Sequence, residues 1–294
     1  PMAGTLTPKA PPAPVWAAQA ARLPGGRLHL HQGPIDIIAR FWGDPVAVAA
    51  AEARAVDRFS SILNELMSEI SALRAEEAPV HGDIARTMAL AVAPFRPAFV
   101  TPMAAVAGAV AEAVLRAAAG PGITRAYVNN GGDIALFMSP ETALTCAIAN
   151  RPGMPDRITI RAADPVRGIA TSGWRGRSFS LGIADSVTVL AASAAMADAA
   201  ATMIANAVDL PGHPGIQRRG AQEIQPDSDL GARQITVAVP RFTPGEQDEA
   251  LARGLAAAED FRQRGLVEAA ALFLQGQIRT TGGFPMLPQE RAHV

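Results

Sequence analysis

Apolar and polar residues alternate through "RLHLHQGPIDIIARFW", on either side of Gly33-Pro34. Successive strand side chains point to opposite faces, so this alternation predicts a first hairpin. The period then lengthens. Residues 45–75 carry apolar positions at helical spacing with few breakers, and residues 84–92 predict a short helix ended by the prolines of "APFRPAF". "PMAAVAGAVAEAVLRAAAG" opens with the Thr101 hydroxyl as an expected cap and Pro102 in the first helical position, and it ends at Gly120-Pro121-Gly122. Its alanine content, with Gly108 in the middle, predicts a buried helix that approaches another backbone closely. Strands are expected at "RAYVNN", "DIALFM", "LTCAIAN", "RITIRA", "GIATSG" and "SVTVLAA", followed by a second alanine-rich helix, "SAAMADAAATMIANAVDL", capped by Ser193. A strand leading into a buried alanine helix is thus expected twice, at 99–119 and 186–208. That predicts two related α+β halves, roughly 17–122 and 123–284. Residues 211–233 read as a long loop, "QITVAV" as a strand, and "GEQDEALARGLAAAEDFRQRG" and "VEAAALFLQG" as closing helices.

Composition narrows the chemistry. A chain of 294 residues is near the upper size for one hydrophobic core, and 49% hydrophobic with 18% charged residues describes a soluble globular protein. A formal net charge of -1 gives no bulk attraction to nucleic acid or an anionic membrane. The longest apolar stretch, Pro102 to Leu115, is interrupted by Glu112 and is too short to cross a bilayer. The proline-rich leader, residues 1–16, lacks a signal-peptide core and reads as a disordered or polyproline extension. A cytoplasmic location is therefore expected. The single cysteine, Cys146, excludes a disulfide framework and a cysteine-rich zinc site, and it reads as a small core residue. Lys9 is the only lysine. The body therefore has neither a phosphate-loop lysine nor a Schiff-base lysine, and any phosphate must be held by backbone amides, arginine or a metal.

Three stretches could do that. In "NNGGDI", Asn130-Gly131 matches a type I′ hairpin turn, while Gly131 and Gly132 could present a row of amides to an anion, with Asp133 beside them. In the second alanine-rich helix, Asp198, Thr202 and Asn206 are four apart and share one polar stripe. A carboxylate and a hydroxyl one turn apart suit half of a magnesium site as well as they suit a solvated helix edge. "TSGWRGRSFSLGIAD" crowds hydroxyls, amides and guanidinium groups into one loop, from Thr171, Ser172 and Gly173 through Arg175 and Arg177 to Asp185. The histidines are weaker candidates: His29 and His31 share a strand face, and His81 and His213 sit in expected loops.

"VTPMAAVAGAVAEAV", "VNNGGDIAL", "GIATSGWRGRSFSLGIADSVTVLA" and "DLGARQITVAV" closely resemble the motifs of uncharacterised protein family 0280. That group is an ApbE-like branch, related to the flavin transferases that move FMN from FAD onto protein threonines. The resemblance runs in order from about Gly26 to Gly282. It implies an α+β architecture of two T-fold-like halves, antiparallel sheets packed on alanine-rich helices, with a ligand cleft between the halves. By the same resemblance Asp198 and Thr202 stand where the transferases hold magnesium at the FAD pyrophosphate. Asn130, Gly131, Gly132 and Asp133 stand where their glycine-rich turn lines the cleft. The implied protein is a magnesium-assisted transferase or hydrolase acting on a phosphate-bearing cofactor such as FAD or another flavin nucleotide. The contrasting reading is a non-catalytic cofactor-binding or assembly protein, linked to tetrahydromethanopterin-type one-carbon metabolism; a homo-oligomer is open in either case. Two departures argue against FMN transfer itself. "SFSLGIADS" lacks the transferases' histidine-hydrophobe-aspartate-proline loop, and "TPMAAVAGA" replaces their lysine-bearing glycine element.

Overall fold

The computed structural model describes residues 16–148 and 156–283, so nearly all of the proline-rich leader lies outside the described residues. Three strands open the described residues, β1 (Gln19–Leu23), β2 (Arg27–Gln32) and β3 (Ile35–Gly43), with the expected hairpin turning at Gly33-Pro34. Helix α1 (Pro45–Ser68) follows, capped by Asp44, whose carboxylate accepts the N–H groups of Val46 and Ala47. The long helix expected over 45–75 is broken at Glu69, after which α2 (Ile70–Leu73) adds one turn. The Glu69 carboxylate instead accepts the N–H groups of His81 and Gly82 at 2.6 and 2.7 Å, at the start of α3 (Asp83–Val92).

A 3₁₀ turn at Pro102–Ala105 leads into α4 (Val106–Ala118), so no strand precedes this helix, contrary to expectation. The Thr101 hydroxyl does not cap it. It is buried and donates to Asp229 at 2.5 Å, fastening the later loop to this corner. Next come β4 (Ile123–Asn130), β5 (Asp133–Met138), β6 (Ala143–Ile148), β7 (Asp156–Arg161), β8 (Gly168–Ser172) and β9 (Ser186–Ala191), then α5 (Ala194–Ala207). Ser193 caps α5 as expected, its hydroxyl accepting the Met196 N–H at 3.2 Å. The expected 211–233 loop contains a short strand, β10 (Gln217–Gly220), and a single turn, α6 (Ala221–Ile224); β10 pairs with β11 (Gln234–Ala238). Helix α7 (Pro244–Gln263), with a Thr243–Glu246 capping box, and the hairpin β12 (Ala269–Leu274) and β13 (Gln277–Thr281) are the last elements of the described residues.

Nine strands form one antiparallel sheet in the order β1-β2-β3-β4-β5-β8-β9-β12-β13, giving an α+β fold. Helices α4 and α5 lie on one face, α4 over β4 and β5, α5 over β8 and β9, with α1 and α7 outside them. The other face of the central strands is covered by the β6–β7 hairpin, through Leu144, Ile158 and Ile160 against Ile134, Leu136 and Phe273. This two-sided cover corrects one expectation. "AAALFL" is β12, not a helix, and all six residues are buried, because a strand covered on both faces loses its polar alternation.

Candidate functional site

The β4–β5 hairpin turns at Gly131-Gly132, one residue later than the Asn130-Gly131 read from sequence, because Asn130 pairs with Asp133 across the ladder. Gly131 and Gly132 have φ of +68° and +119°, a region glycine enters without a side-chain penalty. The Asn129 carboxamide oxygen accepts the Gly132 N–H at 2.8 Å and fixes the turn. Asn130 faces inward, buried, and donates to the Ala107 carbonyl at 3.2 Å. Asp133 opens β5 and accepts the Thr171 N–H of β8 at 3.2 Å. Two neighbouring strands and the start of α4 thus hold the turn.

Asp198 reaches the same place from the opposite side. Its carboxylate accepts the Gly108 N–H at 3.0 Å, a contact between two helices rather than within one. Gly108 permits it, since a Cβ at that position would collide with the backbone of Ala194 and Ala195. Thr202, one turn along α5, faces the same space. Asn206, the third member of the stripe, accepts the Leu181 N–H at 2.9 Å and so braces the 180–182 loop.

Between turn, helix and loop lies a cleft of about 610 Å³. Gly131, Gly132 and Asp133 line it from the turn; Asp198 and Thr202 from α5; Thr171, Ser172, Gly173 and Arg175 from β8 and the loop beyond it. A second lobe of about 400 Å³ shares Asp133, Asp198 and Thr202 and runs toward Phe99, Met103 and Asp229. Asp185 is placed elsewhere. Its carboxylate accepts the Gln275 N–H at 2.5 Å and pairs with Arg175 at 2.9 Å, tying the loop to the β12–β13 turn. Arg177 lines both lobes, and its guanidinium occupies the space a side chain at Gly131 would need. The crowding of that loop with arginines pointed to it; the contact with the turn, which is long-range, did not follow from spacing. Backbone groups of Ala107 and Gly108 were also missed, since they carry no side-chain signal. His29 pairs with Asp36 and His213 with Glu246; among the described residues no histidine lines either lobe.

Two acids in one enclosed space set the electrostatics. Burial pushes the Asp133 carboxyl up to about 7, against the pull of the Thr171 N–H and of Arg177. Asp198 is raised well above the usual carboxylate range by burial and then by the charge of Asp133, opposed by the N–H groups of Gly108 and Ala107. Cys146 also borders the cleft; it is half-buried at the edge of the apolar layer rather than in the core as expected, and burial pushes its thiol up to about 11, which keeps it neutral. Whether a divalent cation fits can be judged from the donors. Among the described residues no three or more His, Cys, Asp or Glu side chains are grouped so as to hold a metal by themselves. Two carboxylates that repel one another, with the Thr202 hydroxyl beside them, do suit a hard cation that takes its remaining oxygens from ligand and water.

The family model described as AbpE bacteria matches residues 20–280. The chain belongs to that family. It is the ApbE-like group the motifs pointed to. Among relatives of this family member, the UPF0280 protein of Methanopyrus kandleri is 35% identical over 163 residues, 53% of this chain and 64% of that protein. The UPF0280 protein of Methanococcoides burtonii is 36% identical over 118 residues, 40% of this chain and 49% of its own length. The chain thus spans about half to two thirds of the length of these relatives. A solved structure, the flavin transferase ApbE from Vibrio cholerae in a mutant form, is 15% identical, with a TM-score of 0.48, and covers 89% of this chain and 99% of that one. Among the described residues no helix is long and apolar enough to cross a membrane.

Proposed function

We propose that this protein binds a phosphate-bearing cofactor, a flavin nucleotide such as FAD, with a magnesium ion in the cleft, and acts on it as a transferase or hydrolase. The observation that carries the reading is the meeting of Asp133 and Asp198 in one cleft, from a sheet turn and a helix far apart in sequence, beside Arg177 and Thr202. Two carboxylates held this way raise the free energy of the empty site, and such a cost is relieved when a ligand brings positive charge. Asp198 and Thr202 would hold the ion, with Asp133 facing it. Bound there, magnesium would polarise a phosphate oxygen. The chain's own groups do the rest. The Gly131 amide and the Arg177 guanidinium receive the anionic oxygens, and the hydroxyls of Thr171 and Ser172 fix the orientation of the bound molecule. Family membership and the motif resemblance direct the choice of a flavin nucleotide.

The test is calorimetry with FAD, with and without magnesium, followed by chromatography of the products. Binding that requires magnesium and disappears in Asp198→Ala, with the fold retained, is the expected result. Release of FMN or AMP identifies the enzyme; tight binding without release identifies a carrier. Equal FAD affinity in wild type and Asp198→Ala would overturn the assignment of the cleft.

A further inference from the structure

The helix-free face of the sheet carries a second concavity of about 740 Å³, which shares Asn129, Ile134 and Cys146 with the cleft. Strand alternation delivers Arg27 from β2, Arg40 and Trp42 from β3, and Arg125 and Tyr127 from β4 to this one face. Register then makes them neighbours. Arg27 lies directly opposite Arg40, Arg40 opposite Tyr127, and Trp42 opposite Arg125. The guanidinium carbons of Arg40 and Arg125 lie 4.5 and 4.8 Å from the centre of the Trp42 ring, which holds both in place. Elsewhere arginines take carboxylate partners, as Arg58 does with Glu65 and Arg218 with Asp209. Among the described residues none of these three does, and no acidic side chain lines the groove. Like charges directly across a ladder repel, so the arrangement costs stability unless an anion joins them.

We infer that this groove is a binding site for a small molecule bearing at least two phosphate or carboxylate groups on an apolar or aromatic body. Arg40 and Arg125 grip the anionic groups with Arg27 at the rim, and Ile38, Tyr127, Ile134 and Leu144 receive the body. Because groove and cleft share Asn129, Ile134 and Cys146 as walls, the groove's occupant is the second of two substrates; that clause rests on the transferase reading above, whereas anion binding does not.

Inorganic pyrophosphate is the probe, titrated by calorimetry in the presence of EDTA, where any magnesium-dependent binding in the cleft is silent. Saturable one-site binding is expected, weakened about tenfold or more in Arg40→Gln and in Arg125→Gln. Arg40→Gln should melt close to wild type, loss of its contact with Trp42 offset by relief of repulsion, whereas Arg125→Gln also gives up a hydrogen bond to the Ala143 carbonyl and should melt slightly lower. Arg27→Gln, on the exposed rim, keeps the test open should either inner variant fold poorly, and it should weaken binding severalfold. Unchanged affinity in Arg27→Gln and in whichever inner variants fold overturns the inference. So does binding that appears only with magnesium, which would put the anion in the cleft. Pyrophosphate binding in EDTA alongside failure of magnesium-dependent FAD binding would leave the groove standing and remove the transferase reading.

Discussion

Asp133→Asn separates the electrostatic role of the turn from its structural one. The side chain keeps its size and an oxygen for the Thr171 N–H at 3.2 Å, so only the charge is lost. With a folded-state value of about 7 against an ordinary 3.8, the native protein holds the Asp133 proton longer than the unfolded chain does. Below about pH 4 both states are protonated and the group contributes nothing to pH dependence. As pH rises from about 4 to 7 the unfolded chain ionises first, stability falls, and above about 7 the full cost is present. Each pH unit between the two values is worth about 1.4 kcal/mol, so the ceiling is on the order of 4 kcal/mol. Partial exposure to the cleft and repulsion shared with Asp198 reduce this to roughly 1–3 kcal/mol.

In metal-free buffer, Asp133→Asn should therefore melt roughly 2–8 °C above wild type at pH 8 and level with it at about pH 3. Added magnesium should raise the wild-type melting temperature at pH 8 by mass action and leave the variant nearly unmoved. Differential scanning calorimetry across that pH range, with EDTA or magnesium, measures both. Parallel pH profiles for the two proteins, or a variant less stable at pH 8, would refute the argument and leave Asp133 as a hydrogen-bond acceptor joining β5 to β8.

Gly108→Ala sets a helix-propensity gain of about 1 kcal/mol against overpacking of about 1–3 kcal/mol where the new methyl meets the backbone of Ala194 and Ala195. The second term should win, lowering the melting temperature and weakening magnesium-dependent FAD binding, because the Gly108–Asp198 bond goes with the close approach; a stabler protein would show that the helices can separate freely. Asp185→Ala should cost about 1–3 kcal/mol by stranding the Gln275 N–H and freeing Arg175, yet leave FAD affinity within about threefold of wild type, which chemical denaturation and calorimetry would check together.

What could be read in advance was local. The two alanine-rich helices, the Ser193 cap, the first hairpin and strands β4, β5, β8 and β9 follow from periodicity and capping chemistry, which act within a few residues. Misreadings arose where distant chain decides local structure. β12 looks helical because the β6–β7 hairpin covers its second face, and no window around residues 269–274 contains that hairpin. Thr101 offers a cap, but Asp229, 128 residues away, takes its hydroxyl. The turn slipped by one residue because consecutive glycines satisfy the angles in either register, and strand pairing chose between them.

The site was legible in pieces for a related reason. Its glycines, carboxylates and hydroxyls are residue types that announce ligand chemistry, and each lies in a short recognisable segment. Their meeting depends on the close crossing of α4 and α5, and small side chains make that crossing possible. Gly108 gives up its side chain so that the Asp198 carboxylate can take its N–H, and alanines along both helices allow the same approach on either side. Small residues that look like featureless packing in the sequence are therefore what bring an acid on α5 within the electrostatic reach of an acid on β5. A larger residue at that crossing would disturb the pairing of the two acids before it disturbed the fold, because the sheet holds Asp133 independently, through Asn130 pairing and the Thr171 N–H.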